Sequence, residues 1–316
     1  MSDNQNPGLI SCLIKISKLR VVILLQVTAI CAILAHDLLV RHGSIVGERT
    51  WFDTIWTSFI TLIGGTLAAG GSNAINMWYD RDIDPLMSRT KNRPLPMGWI
   101  SPNTVLMFGI ITSLGGSALF LTLHWKAAFW SLFSVIFYVF IYSIWLKRRT
   151  PQNIVIGGAA GATPPVIGWA SAASAELSGT NPFDLGSPIP WMFFMLVFLW
   201  TPPHFWALAI MIKDDYERAK IPMLPNIKGE KNTSIQMMFY TIVLSIFVIS
   251  FTFVTDRANE IYLFGSSILC VLFIYYSIKL IKNINKESAL KTYKYSLLFL
   301  TLVWVLMIVG SIENNI

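Results

Sequence analysis

The sequence predicts an all-α polytopic membrane protein with nine transmembrane helices, and three observations carry that prediction. Of 316 residues, 54% are hydrophobic and 13% charged, where an ordinary soluble domain carries about 25% charged. A soluble chain would spread its apolar residues as stripes along amphipathic helices. Here they gather into nearly uncharged runs of about 20 residues, enough to cross a bilayer. With nine spans, 20 of the 24 Lys and Arg residues lie in the loops of one side, and only Arg41, Arg49, Lys126 and Arg257 on the other. The basic side marks the cytoplasm, so the N-terminus is expected there and the C-terminus in the periplasm of a bacterial inner membrane.

Each span is an apolar run closed by charge or by Gly/Pro clusters. The first, near 20 to 40, runs from Arg20 to Arg41, and the second, 53 to 75, from Asp53 to a polar loop. Spans 103 to 123 and 127 to 146 meet at Lys126 and end at Lys147, Arg148 and Arg149. Span 153 to 174 follows Pro151; 191 to 212 ends at Lys213; 233 to 254 follows Lys231; 261 to 279 follows Glu260; and 293 to 312 follows Lys291. The whole of 1–316 reads as one membrane domain with two large cytoplasmic loops, 76–102 and 213–232.

Several classes are excluded by the same pattern. The net charge of +7 distributes as a topology signal rather than as one basic face, so no nucleic-acid partner is implied. Cys12, Cys31 and Cys270 form no C-x-x-C pair and indicate neither disulfides nor zinc. The first apolar run is too long for a signal-peptide core, and the Asp3-bearing tail is no mitochondrial transit peptide. Ion-coupled transporters and pumps keep carboxylates at mid-membrane depth; here His204 is the clear ionisable exception within the spans, so the chemistry is expected at the cytoplasmic mouth.

The loop after the second span reads NAINMWYDRDIDPLMSRTKNRPLP. Asn76, Asp80 and Asp84 recur every four residues, so on a helix they share one face with a drift of about 40° per step. Their oxygens converge on one ion, and Pro85 is expected to end the helix at Asp84. Asp82 points elsewhere. Four helices later KDDYERAKIPMLP repeats the order of acidic cluster and proline turn, which suggests two pseudo-repeats of about four helices plus a final helix. Asn and Asp oxygens suit a hard cation such as Mg²⁺, which takes one or two carboxylates and keeps positions for substrate phosphate oxygens. Arg89, Arg93, Lys147, Arg148 and Arg149 supply the cations a diphosphate requires, although a solvated basic loop would contain the same residues.

The combination of N-x-x-x-D-x-x-x-D, SRTKNRPLP, TPQNIVIGGAAGATPPVIGW, WTPPHFWALA and DDYERAKIPMLP resembles the protoheme IX farnesyltransferases, or heme O synthases, within the UbiA-type intramembrane prenyltransferases. The likeness runs from about residue 15 to 312. It implies a UbiA-type bundle around a central cavity, with the acidic loops capping its cytoplasmic end. It also implies transfer of the farnesyl group of farnesyl diphosphate to a vinyl group of heme B with addition of water, dependent on Mg²⁺. A downstream heme-modifying membrane enzyme is an implied partner. Carried over, Asn76, Asp80, Asp84 and Asp214 are metal ligands; Asp80, Asp84, Asp214 and Tyr142 are catalytic. Asn76, Arg89, Arg93, Lys147, Arg148, His204 and Asp215 bind substrate. The second motif departs from D-x-x-x-D, since Arg218 follows Asp214 by four, and Asp214 is ranked just ahead of Asp215.

An allylic cation needs negative potential, which aromatic faces supply; Trp78, Tyr79, Tyr138, Tyr142, Trp145, Trp200, Phe205 and Trp206 lie near the right depth. His204 either faces the heme substrate or satisfies a carbonyl freed by Pro202 and Pro203. His36, His42 and His124 fall on the outer side. The run Gly157 to Ala162 lies within a span and reads as close helix packing, not as a phosphate loop. Two other readings remain in view: prenylation of a different aromatic acceptor, and transport of heme or lipid without chemical change.

Overall fold

The computed structural model describes residues 7–41, 48–254 and 260–312; His42, Arg257 and both chain ends lie outside them. Every regular element described is helical, and the described residues contain no strand. The elements are α1 (Leu9–Ile16), α2 (Leu19–Arg41), α3 (Trp51–Tyr79), α4 (Pro102–Leu119), α5 (Trp125–Ile136), α6 (Asn153–Ala162), α7 (Pro164–Ala172), α8 (Ile189–Met211), α9 (Lys213–Arg218), α10 (Leu224–Val254), α11 (Glu260–Lys282) and α12 (Lys286–Ile312).

Local chemistry sets the boundaries. Thr50 caps α3 through a reciprocal box with Asp53, and Ser101 caps α4 ahead of Pro102, so orphan N–H groups are satisfied at both starts. The span expected over 153 to 174 is present and built from two helices, broken at Thr163, because Pro164 and Pro165 open α7 and disfavour continuation. By contrast α8 runs through Pro202 and Pro203 without interruption. The span expected from 233 is preceded by a short helical segment from Leu224, joined to it across a kink at Gly229 with φ 80°, a conformation glycine adopts without steric cost.

Eight of the described helical stretches are long and apolar enough to cross a membrane. The ninth expected span, 53 to 75, is present as the 29-residue helix α3, roughly 43 Å long at 1.5 Å per residue. It does not qualify by composition, because Thr54, Thr57, Thr61, Gly64, Gly70, Gly71, Ser72 and Asn73 are buried along it. Those small and polar residues serve packing. A Cβ on Gly116 of α4 would stand 2.4 Å from the Ala68 nitrogen, and one on Gly71 would stand 2.5 Å from the Ser113 nitrogen. The α3–α4 seam is therefore close to backbone-on-backbone, as small residues allow in membranes.

The helices close into a ring in which α2 packs on α3 and α7, α8 on α6 and α10, and α12 on α8, α11 and α2. Outward faces present Ile55, Phe59, Ile111, Leu114, Ile246, Phe264 and Ile268, which suits a lipid environment. A large aromatic core holds Trp169, Phe193, Trp200, Phe251, Phe299 and Trp304. A second cluster joins Ile83 and Met87 of the first acidic loop to Ile210, Ile221, Met223 and Leu224 around the second. That apolar joint fixes the two loops against each other over the mouth of the bundle.

Candidate active site

A cavity of about 340 Å³ occupies the centre of the ring. Its walls are largely apolar along α2, α7 and α8, with Gln26, Thr28, Ser131, Ser134 and Thr201 as polar interruptions, while its mouth is lined by Lys18, Asn73, Asn76, Asp84, Arg89, Arg93 and Lys147. The first loop reaches this mouth differently from the sequence expectation. The α-helix ends at Tyr79, with Asp80 as its C-cap, and the chain continues as 3₁₀ turns over Asp80–Asp82 and Asp84–Leu86. Pro85 contributes no N–H, and the tighter turn still brings Asp84 back over the bundle.

Both carboxylates are buried, Asp80 at 1% and Asp84 at 2% exposure. Asp80 pairs with Lys147 and, at 3.4 Å, with Arg148. Arg93 donates to both oxygens of Asp84 at 3.0 and 2.9 Å. Asn76 donates to Asp80 at 3.0 Å and to the Ser143 hydroxyl at 3.1 Å, while its own oxygen accepts from Lys18 at 3.0 Å. A buried carboxylate without such partners would be prohibitively costly. Asp82 turns outward, as expected, and takes a bidentate pair from Arg148 at 2.7 Å. The Arg148 guanidinium holds its carboxyl below the usual range, and Asp82 in return raises Arg148.

Lys18 was not among the expected site residues, its charge having counted only toward topology. It sits in the turn between α1 and α2 at φ 50°, a strained conformation for a residue with a Cβ. Burial, then the charges of Arg93 and Lys147, pushes its ammonium down to about 7. Nothing in the local sequence signals this; α1 itself, amphipathic and packed by Cys12 and Ile16 against Ala74 and Met77, makes the turn.

The second loop contributes Asp215 rather than Asp214. Asp215 is 7% exposed, accepts from the Arg89 backbone N–H at 3.3 Å and pairs with Arg218. Burial acts to raise its carboxyl, but hydrogen bonds from Ser88 and Arg89 and the Arg218 charge keep it below the usual range. Asp214 is left on the surface opposite Lys286 at 3.5 Å. The sequence ranks Asp214 just ahead of Asp215, whereas the structure sets Asp215 against the first loop: one step along a short helix rotates a side chain by about 100°, and α9 buries the 215 side.

Tyr142 lies on the cavity wall with Tyr138, their rings stacked at 5.4 Å, and Tyr138 donates to Asn73 at 3.3 Å. Both sit on a π-helical stretch, Phe137–Leu146, that continues α5 and ends with Lys147 N–H donating to the Tyr142 carbonyl at 2.9 Å. Such wide turns recur at functional sites. Of the other expected aromatics, Trp200 and Phe205 line the cavity. Trp206 is buried in the core, Trp145 is exposed, and Trp78 lies under Arg81.

The structure places His204, expected to bind substrate, away from the cavity. It is buried on the side of α8 that faces α12, where its Nδ1 lies 2.7 Å from the Ser296 hydroxyl and its ring stacks between Trp200 and Tyr293. A shared helix does not mean a shared face: Thr201, Phe205 and Leu208 turn to the cavity and His204 turns away. His36 is equally occupied, bridging Asp37 and Glu176 at 2.8 and 3.1 Å.

Among the described residues no three His, Cys, Asp or Glu side chains form a ready metal cage. Asn76, Asp80 and Asp84 nonetheless fit a hard divalent cation as a partial oxygen donor set that substrate phosphate completes, the usual arrangement for Mg²⁺.

Residues 38–303 match the UbiA prenyltransferase family. The chain belongs to that family. Its fold is that of UbiA proteins: a structure of digeranylgeranylglyceryl phosphate synthase superimposes with TM-score 0.73 at 20% identity, over 96% of this chain and 99% of that one. A UbiA homolog from Archaeoglobus fulgidus, bound to DMAPP and Mg²⁺, gives TM-score 0.52 at 16% identity, over 90% and 97%. Among curated UbiA relatives, the protoheme IX farnesyltransferase of Bartonella tribocorum is 44% identical over 81% of each chain. That of Brucella anthropi is 42% identical over 80% of this chain and 79% of its own.

Proposed function

We propose that this chain transfers the farnesyl group of farnesyl diphosphate to a vinyl group of heme B, with addition of water, giving heme O and diphosphate. The observation that carries the reading is the pair of buried, cation-matched carboxylates: Asp84 lines the mouth of a largely apolar cavity, and Asp80 stands behind it, held by Asn76 and Lys147, which line that mouth. The relatives named protoheme IX farnesyltransferase select the substrates.

The allylic carbon–oxygen bond breaks with its electron pair passing to the diphosphate. Arg93, Lys147, Arg89 and Lys18 neutralise that leaving group, while the apolar walls keep water from the prenyl chain. Asn76, Asp80 and Asp84, with Asp215 across the mouth, would hold Mg²⁺, which when bound supplies Lewis-acid stabilisation of the departing charge. The Tyr138 and Tyr142 faces stabilise the allylic cation. The vinyl terminal carbon attacks it, a water oxygen adds to the adjacent carbon, and one water proton is released. The mouth opens to the cytoplasm in a bacterial inner membrane, α3 counts as the ninth crossing, and a membrane enzyme that modifies heme O further is the natural recipient of the product.

Purified protein with Mg²⁺ and farnesyl diphosphate is to be offered heme B or 4-hydroxybenzoate and the products weighed. A mass equal to heme B plus farnesyl plus one hydroxyl is expected. Prenylated 4-hydroxybenzoate alone, or no diphosphate release with either acceptor, overturns the reading.

A further inference from the structure

We propose that Phe120 is the floor of the prenyl channel and limits the chain to three isoprene units. The inference rests on the reading of this cavity as a prenyl diphosphate site. Phe120 lines the cavity yet is 1% exposed. It follows α4 directly, at the end of the bundle opposite the acidic loops. Its ring fills the space that a side chain on Gly64 of α3 would take: a Cβ there would lie 3.0 Å from Phe120 Cε2. Glycine at 64 therefore lets the ring cross the channel, and Phe120 belongs to the same buried core cluster as Ala127 and Trp130.

Depth decides what fits above it. Phe120 meets α3 at Gly64, twelve residues or roughly 18 Å from Asn76 at 1.5 Å per residue, and the lining continues one turn further, to Thr61. From Lys18, in the turn before α2, to Ala29 of α2 is eleven residues or roughly 16 Å. An isoprene unit adds four carbon–carbon bonds of about 1.5 Å each, roughly 5 Å when extended. Three units need roughly 15 Å and fit; a fourth brings the chain to roughly 20 Å and into the Phe120 ring. Leu24, Leu25, Ala68, Val135, Ile167 and Val197 make the intervening wall apolar. At the floor, Thr61 lines the cavity with a buried hydroxyl that has no hydrogen-bond partner, so it can be exchanged for an apolar residue without orphaning a donor.

The test is binding of unreactive geranyl, farnesyl and geranylgeranyl thiolodiphosphates to the full chain in detergent with Mg²⁺ and no acceptor. Each buried isoprene unit contributes enough apolar area for about 100-fold or more in affinity, so the native chain is expected to rank farnesyl above both others. Phe120→Ala is expected to raise geranylgeranyl relative to farnesyl by about tenfold. Thr61→Leu, which narrows the floor, is expected to move preference toward geranyl by about fivefold. A native chain indifferent to length overturns the floor, as does a folded Phe120→Ala whose ranking stays within about twofold of native. Should Phe120→Ala fail to fold, Thr61→Leu decides, and an unmoved ranking there overturns the proposal. Because no acceptor is present, failure of heme B to react would leave the ranking untouched, whereas a flat ranking with farnesyl turnover intact would strike the floor alone.

Discussion

Asp215 and Asp214 differ by one position and are separated by everything else: the first is buried beneath Arg89 and Arg218, the second faces solvent and Lys286. Asp80→Asn, Asp84→Asn and Asp215→Asn are expected to lower diphosphate release by about 100-fold or more for the first two and about tenfold for the third. Asp214→Asn is expected to stay within about twofold of the native rate. Steady-state rates on folded variants check the series, and an Asp214 defect larger than the Asp215 defect would reverse the assignment. His204→Ala is expected to cost about 2 kcal/mol of stability through lost stacking and the Ser296 hydrogen bond, with KM for both substrates unchanged. Denaturant unfolding and kinetics check it. The types and spacing of Asn76, Asp80 and Asp84 were legible in the chain because a four-residue repeat of oxygen donors before a proline has few other uses. The placements of Lys18, Asp215 and His204 were not, since each depends on which side of its element a distant one covers.

At the scale of elements, the π-helical stretch and α6 are matched to each other. A Cβ on Gly157 would stand 2.3 Å from Tyr142 Cδ2, whereas one on Gly161, in the same helix, meets nothing within 4 Å. Gly157→Ala is expected to displace the Tyr142 ring and lower kcat about tenfold with little change in the KM for farnesyl diphosphate, since a sub-ångström to ångström misplacement is costly in catalysis. Gly161→Ala is expected to leave both unchanged. If the two variants behave alike, Gly157 is not positioning the tyrosine. Hydropathy and flanking charge located the spans to within a few residues in most cases, because those signals are local. The break at Thr163, the early end of α3 and the start of α10 at Leu224 follow from proline and glycine geometry acting together with packing, and a run of apolar residues conceals them.

At the scale of the molecule, each acid of the first cluster already has its own cation: Asp80 has Lys147 and Arg148, and Asp84 has Arg93. Chelation with EDTA is therefore expected to abolish turnover while shifting thermal unfolding by no more than about 2 °C. A large drop in unfolding temperature would mean that a metal ion supports the fold itself. The two sides of the ring share another feature. Along α3 and α4, backbone meets backbone at Gly71 and Gly116, and on the other side a Cβ on Gly168 of α7 would stand 2.2 Å from the Ala29 carbonyl oxygen of α2, while Gly161 of α6 opens onto the cavity. Mechanically, the cavity stands between two doorposts. Amide hydrogen exchange is therefore expected to be slow over 64–79 and 164–172 alike; fast exchange over either would mean that its seam opens.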